Sequence, residues 1–244
     1  MAAFERVTLE PAWVLHGRAW RESSEVLDVF TRNHGLQSVV ARGMRRPGSR
    51  LRALLQPFSP VLLTWGGRGS SLSTLHAAEA AGVPPALRGA ALMSGFYASE
   101  LLLRFLHRGD SHADLFDAYG FLLAQLAAGT NESALRRFEV DLLAGTGYGL
   151  LLDREAVTGE PLDPARNYRY LPEAGPVAAR EALAADDGYS GADLLAMWRG
   201  DWTEASTLVT ARRLLRAVLA HHLGERPLRT RAVFSALRGL PARH

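Results

Sequence analysis

The 244 residues carry 28 basic and 25 acidic side chains, a net charge of +3, and 48% hydrophobic residues, which excludes a disordered chain and is enough to bury a sizeable core. The complete lack of cysteine excludes disulfides and thiolate metal sites. No run approaches the roughly 20 apolar residues of a membrane span and no basic-then-apolar export pattern opens the chain, so the expected compartment is the cytoplasm.

All the basic side chains counted above are arginine; lysine does not occur. Their distribution says more than the net charge. Residues 1–82 hold ten arginines against six acids and 83–152 hold five against seven. Residues 153–204 hold five against eleven, and 205–244 eight against one. Two basic ends flanking an acidic third quarter suggest a polyanionic partner.

In chain order, the first eighty residues read as strands. Short stretches rich in Val, Leu and aromatics at 12–16, 25–31, 36–42, 60–65 and 71–79 are separated by turn chemistry at Asn33-His34-Gly35 and Gly66-Gly67-Arg68-Gly69. Five short strands in a domain this small predict a closed barrel of OB-fold or SH3-like type, because closure removes exposed edges. Between the third and fourth strands, Arg42, Arg45, Arg46, Arg50 and Arg52 fall within eleven residues that contain no acid. Gly43, Pro47 and Gly48 predict a mobile or open loop there. Such an uncompensated basic loop suits a phosphate partner.

Pro84-Pro85 marks the expected domain boundary. Helical periodicity then predicts helices over 87–106 and 113–126. A third begins after Thr130 or Asn131, either of which suits a cap. Its stripe is Leu135, Phe138, Leu142 and Leu143, with Gly145 as its stop. Arg136 and Arg137 stand off that stripe. Glu132 lies four residues before Arg136 and Asp141 four after Arg137, the spacing of exposed helix salt bridges. Residues of about 146–188 read as irregular, with a strand candidate at Asn167-Tyr168-Arg169-Tyr170. Helices resume at 191–198, 203–222 and 228–237. The last two, with the link between them, carry Arg212, Arg213, Arg216, Arg226, Arg229 and Arg231, and the first three are further candidates for phosphate contact.

Catalytic constellations are missing from the pattern. A chain without lysine holds no Walker clamp, and Gly145-Thr146-Gly147-Tyr148-Gly149 lacks the preceding strand of a dinucleotide fingerprint. His221 and His222 point about 100° apart on a helix and make a poor metal pair. Asp186, Asp187 and Asp193 read as a solvated acidic loop. The expectation is a binding protein without catalytic turnover, cofactor or structural zinc.

The chain resembles the bacterial RecO family of recombination mediators. The resemblance runs nearly end to end and is sharpest at Leu27-Asp28-Val29-Phe30-Thr31, at Leu55-Gln56-Pro57-Phe58-Ser59-Pro60 with Gly66-Gly67-Arg68-Gly69, and at Ala134-Leu135-Arg136-Arg137-Phe138-Glu139 with Gly147-Tyr148-Gly149. It implies an α+β, two-domain chain, with a five-stranded OB-fold barrel over 1–82 and an all-helical domain over 83–244 that carries the irregular insertion. It implies binding to single- and double-stranded DNA, strand annealing, docking on the acidic C-terminal tail of the single-stranded-DNA-binding protein, and RecA loading together with RecR. It also implies a cytoplasmic, nucleoid-associated protein. Arg136, with Arg137 beside it, is then the guanidinium that receives the tail, and Leu102 and Phe105 are the apolar partners. Members with four cysteines in the irregular segment bind zinc; this chain must hold that segment by backbone pairing and packing. The other reading of the sequence is a general single-stranded DNA- or RNA-binding module with no mediator role.

Overall fold

The computed structural model describes residues 4–68, 72–129, 132–178, 188–224 and 228–230. Period-2 alternation builds its first sheet. Leu27 and Val29, Val39 and Ala41, and Val61, Leu63 and Trp65 all point into one interior, because successive strand residues face opposite sides. The strands are β1 (Phe4–Trp20), β2 (Ser24–Thr31), β3 (Gly35–Ala41), β4 (Pro60–Arg68) and β5 (Ser73–Ala80). They close into a barrel in the order β1-β2-β3-β5-β4. Neighbours run antiparallel except β3 and β5, which pair in parallel at Val39↔Ser73 and Val40↔Thr74.

The strand expected at 12–16 is only the middle of a 17-residue β1. One half pairs with β4, from Phe4↔Arg68 to Trp13↔Pro60, and the other with β2, from Ala12↔Thr31 to Trp20↔Ser24. Register shifts between Val7 and Glu10 and between Val14 and His16 let one strand serve both neighbours. Glu5, Arg6, Glu10 and Pro11 interrupt the apolar pattern, which is why its length is hidden in the sequence. Gly66 and Gly67 also differ from expectation. They continue β4 instead of turning, and a Cβ on Gly67 would lie 2.8 Å from Ser73 Oγ. Gly69 falls outside the described residues. The Asn33-His34-Gly35 turn forms as expected, with Glu10 accepting from the Asn33 backbone at 2.6 Å and from its side chain at 3.0 Å. Gly35 has φ 60, and a Cβ there would lie 1.9 Å from the Asp110 carbonyl oxygen.

Two helices, α2 (Gly89–Phe105) and α3 (Ala113–Ala127), follow near their expected places. The chain divides into two compact units, Met1–Gly129 with Arg229–His244, and Thr130–Leu228. By contacts, residues 83–129 therefore group with the barrel. The reason is aromatic packing on the barrel's outer face. Phe116 lies 6.1 Å from Trp13 and 5.6 Å from Phe30, Tyr119 meets Trp13 edge-on at 5.9 Å, and Phe96 lies 4.9 Å from Phe58. The start of the C-terminal segment is held to α2 by Glu100, whose carboxylate accepts the backbone N–H groups of Arg229 and Thr230 at 2.8 and 2.9 Å.

The second unit contains α4 (Glu132–Gly145), β6 (Asn167–Leu171), β7 (Gly175–Ala178), β8 (Tyr189–Ser190), α5 (Gly191–Arg199) and α6 (Ala205–Leu223). Part of the segment expected to be irregular is a three-stranded antiparallel sheet in the order β7-β6-β8, so the domain following the barrel is not all-helical. The strand candidate at 167–170 is β6; β7 and β8 are too short to show a periodic run. Between α4 and β6 the backbone bonds to itself, for instance Glu155 N–H to the Glu160 carbonyl at 2.8 Å, and Leu152 and Leu162 are buried. The stop of α4 also shifts. Gly147, at φ 85, takes the left-handed position, and the Tyr148 N–H reaches the Leu143 carbonyl at 2.8 Å in a Schellman cap. The expected caps Thr130 and Asn131 lie outside the described residues. So does the predicted helix at 228–237, apart from its first residues.

Candidate nucleic-acid interface

The loop joining β3 to β4 carries regular structure of its own. A string of turns leads into a single helical turn, α1 (Arg50–Leu54). Met44 and Leu55 drop into the barrel interior, and Leu51 and Leu54 pack against it. Gly43, at φ 70, permits the reversal that sends Met44 inward. The backbone is tied down as well, with the Arg46 N–H donating to the Gly43 carbonyl at 3.1 Å and the Arg45 N–H to the Ser23 carbonyl at 3.0 Å. With the apolar residues pulled in, Arg42, Arg45, Arg46, Arg50 and Arg52 are all left exposed. None of the five forms a salt bridge among the described residues.

The contact at Ser23 brings in residues not singled out from sequence. The β1–β2 turn contributes Arg21, whose carbonyl accepts from the Arg45 guanidinium at 3.4 Å and whose own side chain is exposed. Trp20 precedes it, 41% exposed at the strand end. An exposed ring beside a cluster of guanidiniums is the composition of a single-strand platform, in which bases stack and phosphates meet cations. The dipeptide Trp-Arg at a turn is the feature of the sequence that could have pointed to these two residues. Glu22 is exposed in the same turn and makes no ion pair with these arginines among the described residues.

The helical arginines divide. Arg212 Nε donates to Glu132 Oε1 at 2.7 Å, joining α6 to α4. Arg213 donates to the Gly188 carbonyl and lies over the Tyr189 ring at 4.3 Å, holding β8. Both are engaged by the fold. Arg216 is exposed and forms no ion pair among the described residues, while Arg226 and Arg231 lie outside them. Asp193 joins α5 to α6, accepting from Ser206, Thr207 and Thr210 at 2.9, 3.2 and 2.7 Å. It is therefore not part of a solvated acidic loop; Asp186 and Asp187 lie outside the described residues.

Arg136 and Arg137 also differ from each other. Arg136 is 9% exposed, and its Nη2 lies 3.1 Å from Glu139 Oε1, a buried partner one turn ahead. The spacing-based pair with Glu132 does not form, since Glu132 bonds to Arg212. The Arg136 Nε has no acceptor among the described residues. Arg137 is exposed and pairs loosely with Asp141 at 4.0 Å, as its spacing predicts. Burial pushes the Asp141 carboxyl above its ordinary range, and Arg137 pulls it back. Leu102 and Phe105 are core residues of α2 in the first unit. Of the histidines, His221 and His222 are met by Glu173 from the β6–β7 turn, with one ligand atom of each of the three within 4.8 Å of the others.

Comparison with known proteins decides the family. Residues 6–83 match the family model for the Recombination protein O N terminal region, and residues 87–232 match that for its C terminal region. The chain belongs to the RecO family. Among its relatives, the DNA repair protein RecO of Aromatoleum aromaticum is 44% identical over 244 residues, covering 98% of this chain and 100% of the relative. That of Alkalilimnicola ehrlichii is 47% identical, covering 97% of this chain and 94% of the relative. That of Nitrosospira multiformis is 42% identical, with coverages of 97% and 98%. RecO membership assigns the chain to DNA repair and recombination. Among the described residues, no helix is long and apolar enough to cross a membrane.

Proposed function

We propose that this RecO-family chain is a recombination mediator that acts by binding and annealing, without catalytic turnover. The barrel, read as an OB-fold, grips single- and double-stranded DNA through Arg42, Arg45, Arg46, Arg50 and Arg52. Arg21 and Trp20 join them from the neighbouring turn, and Arg216 is a separate candidate contact on the second unit. The observation that carries the reading is the loop itself: five exposed guanidiniums without ionic partners among the described residues, on backbone anchored by Met44 and Leu55. Holding like charges together in water is unfavourable, and a phosphate backbone relieves it while releasing counterions. Arg136 and Arg137 receive the acidic tail of the single-stranded-DNA-binding protein. With RecR, the complex then helps RecA onto coated DNA.

The DNA contact is tested by replacing Arg42, Arg46 and Arg50 with Ala and measuring affinity for single-stranded DNA against salt. Each lost phosphate contact removes about one unit of log–log slope, so the slope should flatten by up to about three units while the circular dichroism stays unchanged. A folded triple variant with the wild-type slope would place the DNA site elsewhere, with the Arg216 face the next to test. Retention by a peptide carrying the acidic tail separates a mediator from a general nucleic-acid-binding module.

A further inference from the structure

Two adjacent histidines on a helix usually serve different surroundings, because successive side chains are turned about 100° from each other. Here they lie in the last turn of α6, which ends at Leu223 with Gly224 as its cap. Their rings come within 5.2 Å, centroid to centroid. Glu173 reaches them from the turn between β6 and β7. Its backbone sits at φ 68, a conformation that a residue with a Cβ adopts only when its surroundings enforce it, and the Ala174 N–H closes the turn onto the Leu171 carbonyl at 3.1 Å. Tyr148, just beyond the cap of α4, stacks on His222 with the ring centroids 4.1 Å apart. Three stretches of the second unit thus converge beside a cleft of about 130 Å³ lined by residues including Tyr170, Glu173 and His222.

The ligand atoms are closely spaced. His221 Nε2 is 3.3 Å from Glu173 Oε1, and one ligand atom from each of the three residues lies within 4.8 Å of the other two. Zinc bonds of about 2.0–2.2 Å to imidazole nitrogen and carboxylate oxygen, in a tetrahedron, set neighbouring ligand atoms about 3.3–3.5 Å apart. One edge already has that length. The others close by rotation of side chains that are exposed or half-buried. Two imidazoles and one carboxylate form a ligand set known for zinc, with the fourth position left to water. The carbonyl oxygens at a helix C-terminus also favour a cation nearby.

We propose that Glu173, His221 and His222 form a surface site for a divalent transition-metal ion of the zinc class, pinning the β6–β7 turn to the end of α6. The partial exposure of the ligands makes the ion exchangeable, unlike an enclosed four-ligand structural site. The site rests on geometry within the second unit and is independent of the DNA-binding reading.

The test is equilibrium dialysis of the full-length protein against zinc chloride at neutral pH, paired with thermal melts with and without zinc. One zinc ion per chain is expected, with a rise in the melting midpoint, since a ligand that binds the folded state stabilises it. Glu173→Gln, His221→Ala and His222→Ala should each weaken uptake by more than about tenfold, an effect on the scale that even a supporting group exerts on metal affinity. The double variant His221→Ala/His222→Ala should lose both the uptake and the melting shift while keeping its far-ultraviolet dichroism. Wild-type protein that takes up no zinc overturns the proposal. So does uptake that persists in the double variant, which would assign the ion to other side chains.

Discussion

Arg136 and Arg137 are neighbours in sequence with opposite surroundings. The Arg136 side chain is 10% exposed and faces the buried Glu139, whereas that of Arg137 is 62% exposed and stands 4.0 Å from Asp141. Removing one member of a buried ion pair costs about 3–5 kcal/mol, while an exposed helix pair contributes only about 0.3–0.5 kcal/mol. Arg136→Ala should therefore lower stability measurably and Arg137→Ala barely, as read by urea melts of the full chain. The same variants test partner docking. A charge-assisted contact with a tail carboxylate is worth about 1.5–3 kcal/mol, so its loss should weaken acidic-tail peptide binding roughly ten- to hundredfold by fluorescence anisotropy. Naked-DNA affinity should be unchanged. Arg136→Ala protein that remains folded and binds the tail normally would leave Arg136 a scaffold residue holding Glu139 and nothing more.

At the scale of the element, the arginine loop behaves as part of the barrel. Its Gly and Pro content suggests mobility, while the buried side chains of Met44 and Leu55 anchor it to the barrel. A residue within a basic run that points inward converts a floppy segment into a fixed cationic ridge, and so lowers the ordering cost of binding a flexible strand. Met44→Ala should destabilise the barrel by about 2–5 kcal/mol, the range for truncating a buried methionine. Met44→Leu, which keeps the volume, should cost less than about 1.5 kcal/mol. Chemical denaturation followed by tryptophan fluorescence measures both, because Trp65 lines the same interior. Equal stability of the alanine variant would mean that the loop is not anchored through Met44.

For the whole molecule, the first unit extends past the barrel. Trp13, Phe30 and Phe58 lie against Phe96, Phe116 and Tyr119 of α2 and α3, and Ser99 Oγ and the Tyr119 hydroxyl share a buried hydrogen bond of 2.8 Å. A fragment of residues 1–82 would expose that aromatic face, where each large side chain returned to water forfeits about 1.5–3 kcal/mol. It should melt more than about 10 °C below a fragment of residues 1–129, given the few degrees per kcal/mol typical of small domains. Scanning calorimetry on the two fragments decides it. Equal midpoints would make the barrel an independent domain that ends near residue 82.

Local periodicity was enough to place most elements: β2 and β3 by alternating Val and Leu, and α2, α3, α5 and α6 by their apolar stripes. The dense arginine run was legible too, because it depends only on which residues occur and how closely. Tertiary structure alone decided which arginines remain available. Arg212 and Arg213 read as basic surface but are held by Glu132, Gly188 and Tyr189, and Arg136 is turned toward Glu139. It also decided the reach of β1, whose two partners β2 and β4 lie at different sequence distances, and the meeting of Glu173 with His221 and His222 across 48 residues. The physical reason is common to these cases. Backbone propensity acts over a few neighbouring residues, whereas the partner of a charge is set by what the closed fold brings within a few ångströms.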